Sequence, residues 1–113
     1  MDCIFCKIVA GDIPSTIVYE DEELMAFRDI EPLAPVHILI IPKAHIASTA
    51  ELSIDHQEFI GKLILLAGKL AEQENIASSG YRLVINNGRD GGQVVTHLHL
   101  HLLGGRRLSD QLG

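Results

Sequence analysis

From residue 97 to residue 102 the chain alternates histidine and leucine without a break. A period of two is the repeat of extended backbone, so His97, His99 and His101 share one face of a strand and Leu98, Leu100 and Leu102 the other. The leucine face has to meet a core, which demands a sheet with an apolar layer on that side. Three imidazoles bring no comparable packing gain and are poor strand formers, so they point to chemistry. The plain alternative, half-exposed strand residues that happen to be histidine, suits one such residue better than three. Phosphate chemistry fits, because a neutral imidazole is a nucleophile and a protonated one stabilises developing negative charge. A metal cluster is the competing use of the same side chains.

The rest of the pattern supplies the partners of that strand. Residues 17–20 and 23–28 read as two short strands around an acidic turn at Asp21 and Glu22, and 36–41 as a β-branched apolar strand closed by Pro42. These three predict an antiparallel meander. Between about 55 and 74, apolar residues recur at Phe59, Ile60, Leu63, Ile64, Leu66, Ala67, Leu70 and Ala71, the spacing of one long amphipathic helix. Residues 81–86 predict a fourth strand, and the glycines of 87–92 a tight turn open to a ligand. The fold class expected is α+β, a five-stranded antiparallel sheet covered on one face by one long helix, in one domain spanning 1–113. Strand order does not follow from these patterns.

Composition narrows the partners. With 9 Lys+Arg against 15 Asp+Glu the formal net charge is −6, a field that repels nucleic acid, so a phosphate ligand needs a local site. Apolar runs are broken by charge, Pro or His before they reach membrane-spanning length, and the first residues lack the pattern of a secretory signal, so a cytoplasmic location is expected with no membrane partner. The only two cysteines, Cys3 and Cys6, form a CxxC pair, which a reducing compartment leaves for metal ligation or burial. A thioredoxin-like redox pair is disfavoured because the pair does not sit in a βαβ pattern. His56, among Asp55, Gln57 and Glu58, reads as a solvated surface residue.

The three histidines followed by Leu102 and Leu103 match the histidine triad motif. The chain resembles the histidine triad superfamily, on the nucleoside phosphoramidase side of it. The likeness runs through Ile4 and Phe5, Phe27 to Ile30, Ala34 to His37, Pro42 to His45, Asn86, Asp90 to Gln93 and Leu103 to Gly105. It implies that His99 attacks the α-phosphorus of a purine nucleotide, that a nucleotidyl-histidine forms, and that water releases a nucleoside monophosphate. It also implies that the His97 carbonyl fixes the His99 tautomer and that His101 and His37 face the phosphate. Asn86 and the backbone of Gly92, Gln93, Val94 and Val95 match further phosphate contacts. Asp29 matches the carboxylate that holds the ribose hydroxyls, although a turn or cap role is the plain reading of that residue. Ile4, Phe5, Ile8, Ile13, Phe27 and Ile30 match the slot for the base, although periodicity alone would class most of them as core. Some members of the superfamily carry zinc, and Cys3, Cys6, His45 and His97 fill those positions. Structural zinc is therefore favoured over two buried thiols. A short N-terminal helix and a homodimer joined edge to edge are implied as well, the dimer in keeping with an unpaired strand edge in a small domain.

The match departs at two places. Val94 stands where this branch often has a hydroxyl residue near the scissile bond. Loss of such a donor is worth about 1–3 kcal/mol when the contact forms in the transition state, so slower turnover is expected. The tail beyond Arg106 contains no Trp to reach a neighbouring subunit, so leaving-group selectivity does not carry over. The alternatives to phosphoramidate cleavage are hydrolysis of dinucleoside polyphosphates, nucleotide binding with little turnover, and a zinc-stabilised interaction domain.

Overall fold

The computed structural model describes residues 3–112. Five strands, β1 (Ile17–Glu20), β2 (Leu24–Arg28), β3 (Val36–Pro42), β4 (Tyr81–Val84) and β5 (Leu100–Gly104), form a sheet in the order β1-β2-β3-β5-β4. Every neighbouring pair is antiparallel. The expected meander of the first three strands is present. Its first turn is held by Asp21, whose Oδ1 accepts the amides of Glu23 and Leu24 at 2.8 Å. β3 is buried along its whole length, as its unbroken apolar sequence requires of a central strand covered on both faces.

The two faces carry separate layers. On one, Leu24, Ala26, Ile38, Ile40, Leu100 and Leu102 meet Leu63, Leu66, Ala67 and Leu70 of the long helix α2 (Gln57–Gln73). On the other, Met25, Phe27, Leu39 and Ile41 pack on Phe5 and Ile8 of the short helix α1 (Ile4–Ala10). Seven residues are too few to show a helical period, so the second cover is invisible to pattern reading. α1 is defined by its ends: the Cys3 Sγ accepts the Cys6 amide at 3.4 Å, and Gly11, at φ 83°, turns the chain out.

The final strand is a correction to the reading from alternation. Ladder pairing starts at Leu100, not His97, and runs on to Gly104. Across from it β3 ends in Pro42, which has no amide to donate and whose carbonyl accepts the His97 ring at 2.8 Å. The segment 97–99 is bonded elsewhere: the chain bends at His97, whose amide donates to Val95 O at 2.8 Å, and the Leu98 amide donates to Ile46 O at 2.7 Å. Leu98, Leu100 and Leu102 are nonetheless buried as expected. Likewise the fourth strand ends at Val84 and the helix starts at Gln57, after a 3₁₀ turn over Ile54–His56. His56 helps to make that turn: its Nδ1 accepts the Ser53 amide at 2.9 Å, so it is a capping residue and not an idle surface side chain.

Arg28 at the end of β2 grips Glu74 after α2 with two bonds of 2.8 and 2.9 Å. The arginine is 40% exposed, so water weakens the pair. Replacing Arg28 by Met is expected to lower stability by about 1 kcal/mol. Urea unfolding checks this, and an unchanged midpoint would show that the pair contributes nothing.

Candidate active site

The α1 face of the sheet carries the histidines. β3 supplies His37, β5 supplies His101 directly across from Leu39, and the segment just before β5 supplies His99. His99 is only 6% exposed, with ring centroids of Phe5 and His101 5.2 and 4.9 Å away. Its Nδ1 lies 2.7 Å from the His97 carbonyl oxygen. An oxygen there can only accept, so Nδ1 holds the proton and Nε2 keeps its lone pair. A buried imidazole whose Nδ1–H is held by a carbonyl keeps a bare Nε2, which is what nucleophilic attack on phosphorus requires.

His37 and His101 form a second, ordered pair. The Leu33 amide donates to His37 Nδ1 at 3.1 Å, which puts the His37 proton on Nε2. That N–H lies 2.9 Å from His101 Nδ1 and 3.5 Å from Asp29 Oδ2. His101 Nδ1 is therefore the acceptor, and its proton sits on Nε2, free to donate to a bound anion. Burial is the main force holding both rings neutral: His101 is brought down to about 4, helped by His99 and His37, and His37 is lowered too. Asp29 opposes the shift in both.

This neutrality has a consequence for stability. Because the folded His101 titrates near 4 and the unfolded chain near 6.5, the unfolded state takes up the proton first as pH falls. The stabilisation is fully present above about pH 6.5 and is lost as pH drops toward 4. His37 acts in the same sense. Thermal unfolding followed from pH 7.5 to 4 is expected to show the melting temperature falling through this window, and a flat profile there would contradict the neutral rings.

Asp29 precedes the loop between β2 and β3. Its amide bonds to His37 O at 3.0 Å, and its Oδ1 accepts the Glu31 amide at 2.9 Å. The turn role and proximity to the histidines thus coexist in one carboxylate.

The glycine loop after β4 is braced by its own side chains. Asn86 donates to Gly91 O at 2.8 Å, while Gln93 accepts the Gly88 amide at 2.8 Å and donates to the carbonyls of Ala47 and Val95. The Gln93 side chain is therefore consumed in holding the loop. Gly91 has no room for a Cβ against the Asn87 carbonyl, and Gly92 sits at φ 79°. Val94 is 91% exposed, and Val95 packs with the α1 layer.

Of the residues matched to the base slot, Phe5, Ile8 and Phe27 are buried together, with Ile13 partly buried beside them. Phe5 and Phe27 meet edge to face at 5.5 Å. Ile4 is 47% and Ile30 89% exposed, so these two stand outside the packed cluster.

His97 belongs to a different group. Cys3, Cys6, His45 and His97 bring two Sγ and two ring-nitrogen atoms within 4.8 Å of one another. His97 Nδ1 is 3.2 Å from Cys3 Sγ and His45 Nδ1 is 3.3 Å from Cys6 Sγ. The other nitrogen of His97, Nε2, donates to Pro42 O, which leaves Nδ1 a bare donor atom. Two thiols and two such imidazoles suit tetrahedral zinc, and the carbonyl beyond His97 is the outer contact that ligating histidines commonly make. Burial and neighbouring rings keep His97 neutral, as ligation needs. Asp29, His37 and His101 also cluster within 4.8 Å. They fit a metal poorly, because a neutral His37 ligating through Nε2 would need a proton on Nδ1, where the Leu33 amide already points.

The Leu33 amide and Pro42 carbonyl, which set two tautomers, are absent from the sequence reading. Main-chain groups are the same in every residue, and only the fold selects which of them face a ring.

Comparison with known proteins agrees with this arrangement. Residues 10–108 match the HIT domain model. The purine nucleoside phosphoramidase of Escherichia coli K12 is 52% identical over 111 residues, covering 98% of this chain and 93% of that protein. A 14 kDa zinc-binding protein of Zea mays is 51% identical over 108 residues, 94% of this chain and 84% of its own length. The crystal structure of a HIT family hydrolase from Legionella pneumophila superposes with a TM-score of 0.96 at 50% identity, covering 99% of this chain and all of that one. With the triad, the sheet and nearly the full length in common, the chain belongs to the histidine triad (HIT) family.

Proposed function

We propose that this enzyme hydrolyses purine nucleoside 5′-phosphoramidates. The observation that carries the reading is the 2.7 Å contact of His99 Nδ1 with the His97 carbonyl, which leaves Nε2 as the nucleophile. Attack by Nε2 on the α-phosphorus forms a P–N bond to the enzyme and breaks the bond to the leaving amine. His101 Nε2–H donates to the oxygens that gather charge, and the departing amine takes its proton from solvent, to which the second step returns one when the attacking water loses a proton. Water then attacks the nucleotidyl-histidine in line, the P–N bond breaks, and a nucleoside monophosphate departs. Asp29 holds the ribose and the apolar cluster around Phe5 and Phe27 the base. The identity to the E. coli phosphoramidase supports this substrate class over dinucleoside polyphosphates. Val94 offers no hydroxyl to the leaving group, and turnover is accordingly modest.

Zinc held by Cys3, Cys6, His45 and His97 is part of the same proposal. All four positions are protein ligands, so the ion is structural, and the His97 carbonyl remains available to His99. The partner we propose is a second copy of the chain. β4 is an edge strand, and Leu65 (71% exposed), Ile64 (44%) and Tyr81 (40%) leave apolar surface near it on α2 and β4. Light scattering at micromolar concentration tests this, and a monomer mass would reject it.

The test of the activity is an alkaline denaturing quench during turnover of an adenosine phosphoramidate, because acid hydrolyses the P–N bond of a nucleotidyl-histidine. AMP release with a transient adenylyl group on the peptide carrying His99 is expected, and faster cleavage of diadenosine polyphosphate than of phosphoramidate would overturn the substrate assignment.

A further inference from the structure

Arg106 lies just past β5, in none of the motifs described above. Its Nη2 donates to the Leu33 carbonyl at 2.9 Å and its Nη1 to the Arg107 carbonyl at 3.0 Å. Leu33 is the residue whose amide donates to His37 Nδ1 at 3.1 Å. The Leu33 side chain is 72% exposed, so packing does not place this residue; its two main-chain bonds do. The neighbouring Gly105, at φ 93°, lies so close to Pro35 that a Cβ would press on that ring, which brings the chain after β5 alongside the 33–36 segment. A continuous series of bonds therefore runs from the guanidinium through Leu33 to His37 and on to His101 Nδ1 at 2.9 Å.

We propose that Arg106 is a positioning residue of the active site, which holds Leu33 so that its amide keeps the His37 proton on Nε2 and hence the His101 proton on the nitrogen facing the phosphate. The chemistry follows from the number of protons on each ring. A neutral imidazole carries one. If the Leu33 amide withdraws, His37 can move its proton to Nδ1, and two bare nitrogens would then face each other across 2.9 Å. His101 relieves that contact by moving its own proton to Nδ1, and its Nε2 becomes an acceptor facing the phosphate. The donor for the charged oxygens is lost although no residue that touches the nucleotide has changed. Ribose and base contacts are unaffected, so the chemical step suffers and binding does not.

The kinetic arm rests on the activity proposed above; the spectroscopic arm does not. The variants are Arg106→Met, which keeps the apolar stem without donors, and Arg106→Lys, whose ammonium still reaches one carbonyl. Ring-nitrogen NMR of the nucleotide-free protein is expected to show His37 and His101 as single Nε2–H tautomers in the wild type and in Arg106→Lys, and mixed tautomers in Arg106→Met. With adenosine phosphoramidate, kcat should fall about tenfold in Arg106→Met with KM within about twofold, and Arg106→Lys should retain about half of wild-type kcat. The proposal is overturned by an unchanged ring-nitrogen pattern in Arg106→Met, by Arg106→Lys behaving like Arg106→Met, or by general loss of amide dispersion in Arg106→Met, which would make the role one of folding. A wild type without turnover would count against the proposed function and leave the nitrogen pattern to decide the role of Arg106.

Discussion

Replacing His99 by alanine is expected to lower kcat for an adenosine phosphoramidate by about 10⁴-fold or more, with AMP affinity changed by no more than a few fold. The size follows from what is removed. Without Nε2 no covalent intermediate forms, and water would have to displace the amine directly, with only the donors and the ribose contact left to help. Those remaining groups still bind the nucleotide, because His101, His37 and Asp29 are held by their own bonds and not by His99. Stopped turnover measured beside calorimetric titration with AMP separates the two effects. Loss of less than about tenfold in kcat would remove His99 from the nucleophile role.

The second large effect is on stability. Changing both Cys3 and Cys6 to Ser is expected to abolish zinc binding and to cost about 3–5 kcal/mol, which for a domain of this size lowers the melting temperature by roughly 15–25 °C. Three distant segments meet in the cluster: the start of α1, the stretch after β3 that carries His45, and the segment that carries His97. An ion joining them closes long loops of the unfolded chain and fixes Phe5 against His99. kcat should fall about tenfold as well, because the His97 carbonyl that orients His99 is no longer anchored. Metal analysis of the purified protein, thermal unfolding with and without a strong chelator, and the double variant together form the test. Protein purified with far less than one zinc per chain, or a melting temperature indifferent to chelation, would reject the metal.

Asp29 combines the turn role with a place beside the histidines. As a turn residue it holds the Glu31 amide with Oδ1, and this fixes the carboxylate so that Oδ2 faces His37. The turn bond thus also sets which oxygen faces the histidine. Gln93 goes the other way: its side chain is spent on Gly88, Ala47 and Val95, so any phosphate contact from this position falls to the backbone. Ile30 and Ile4 match the base slot by motif, yet they stand exposed outside the packed cluster of Phe5, Ile8 and Phe27.

Residue periodicity and motif spacing by themselves determined the meander, the long helix, the burial of Leu98, Leu100 and Leu102, and the family to which His97, His99 and His101 belong. These are short-range properties, set by which side chains recur on one face of a regular backbone. Only the tertiary structure decided which ring nitrogen of His97 meets the cysteines, that α1 covers the second face, and which nitrogen of each ring carries the proton. Those outcomes depend on contacts between segments up to 94 residues apart, as between Cys3 and His97, and on single carbonyl and amide groups such as those of Pro42, His97 and Leu33. A main-chain group has no letter in the sequence, so its role appears only once the chain has folded around it.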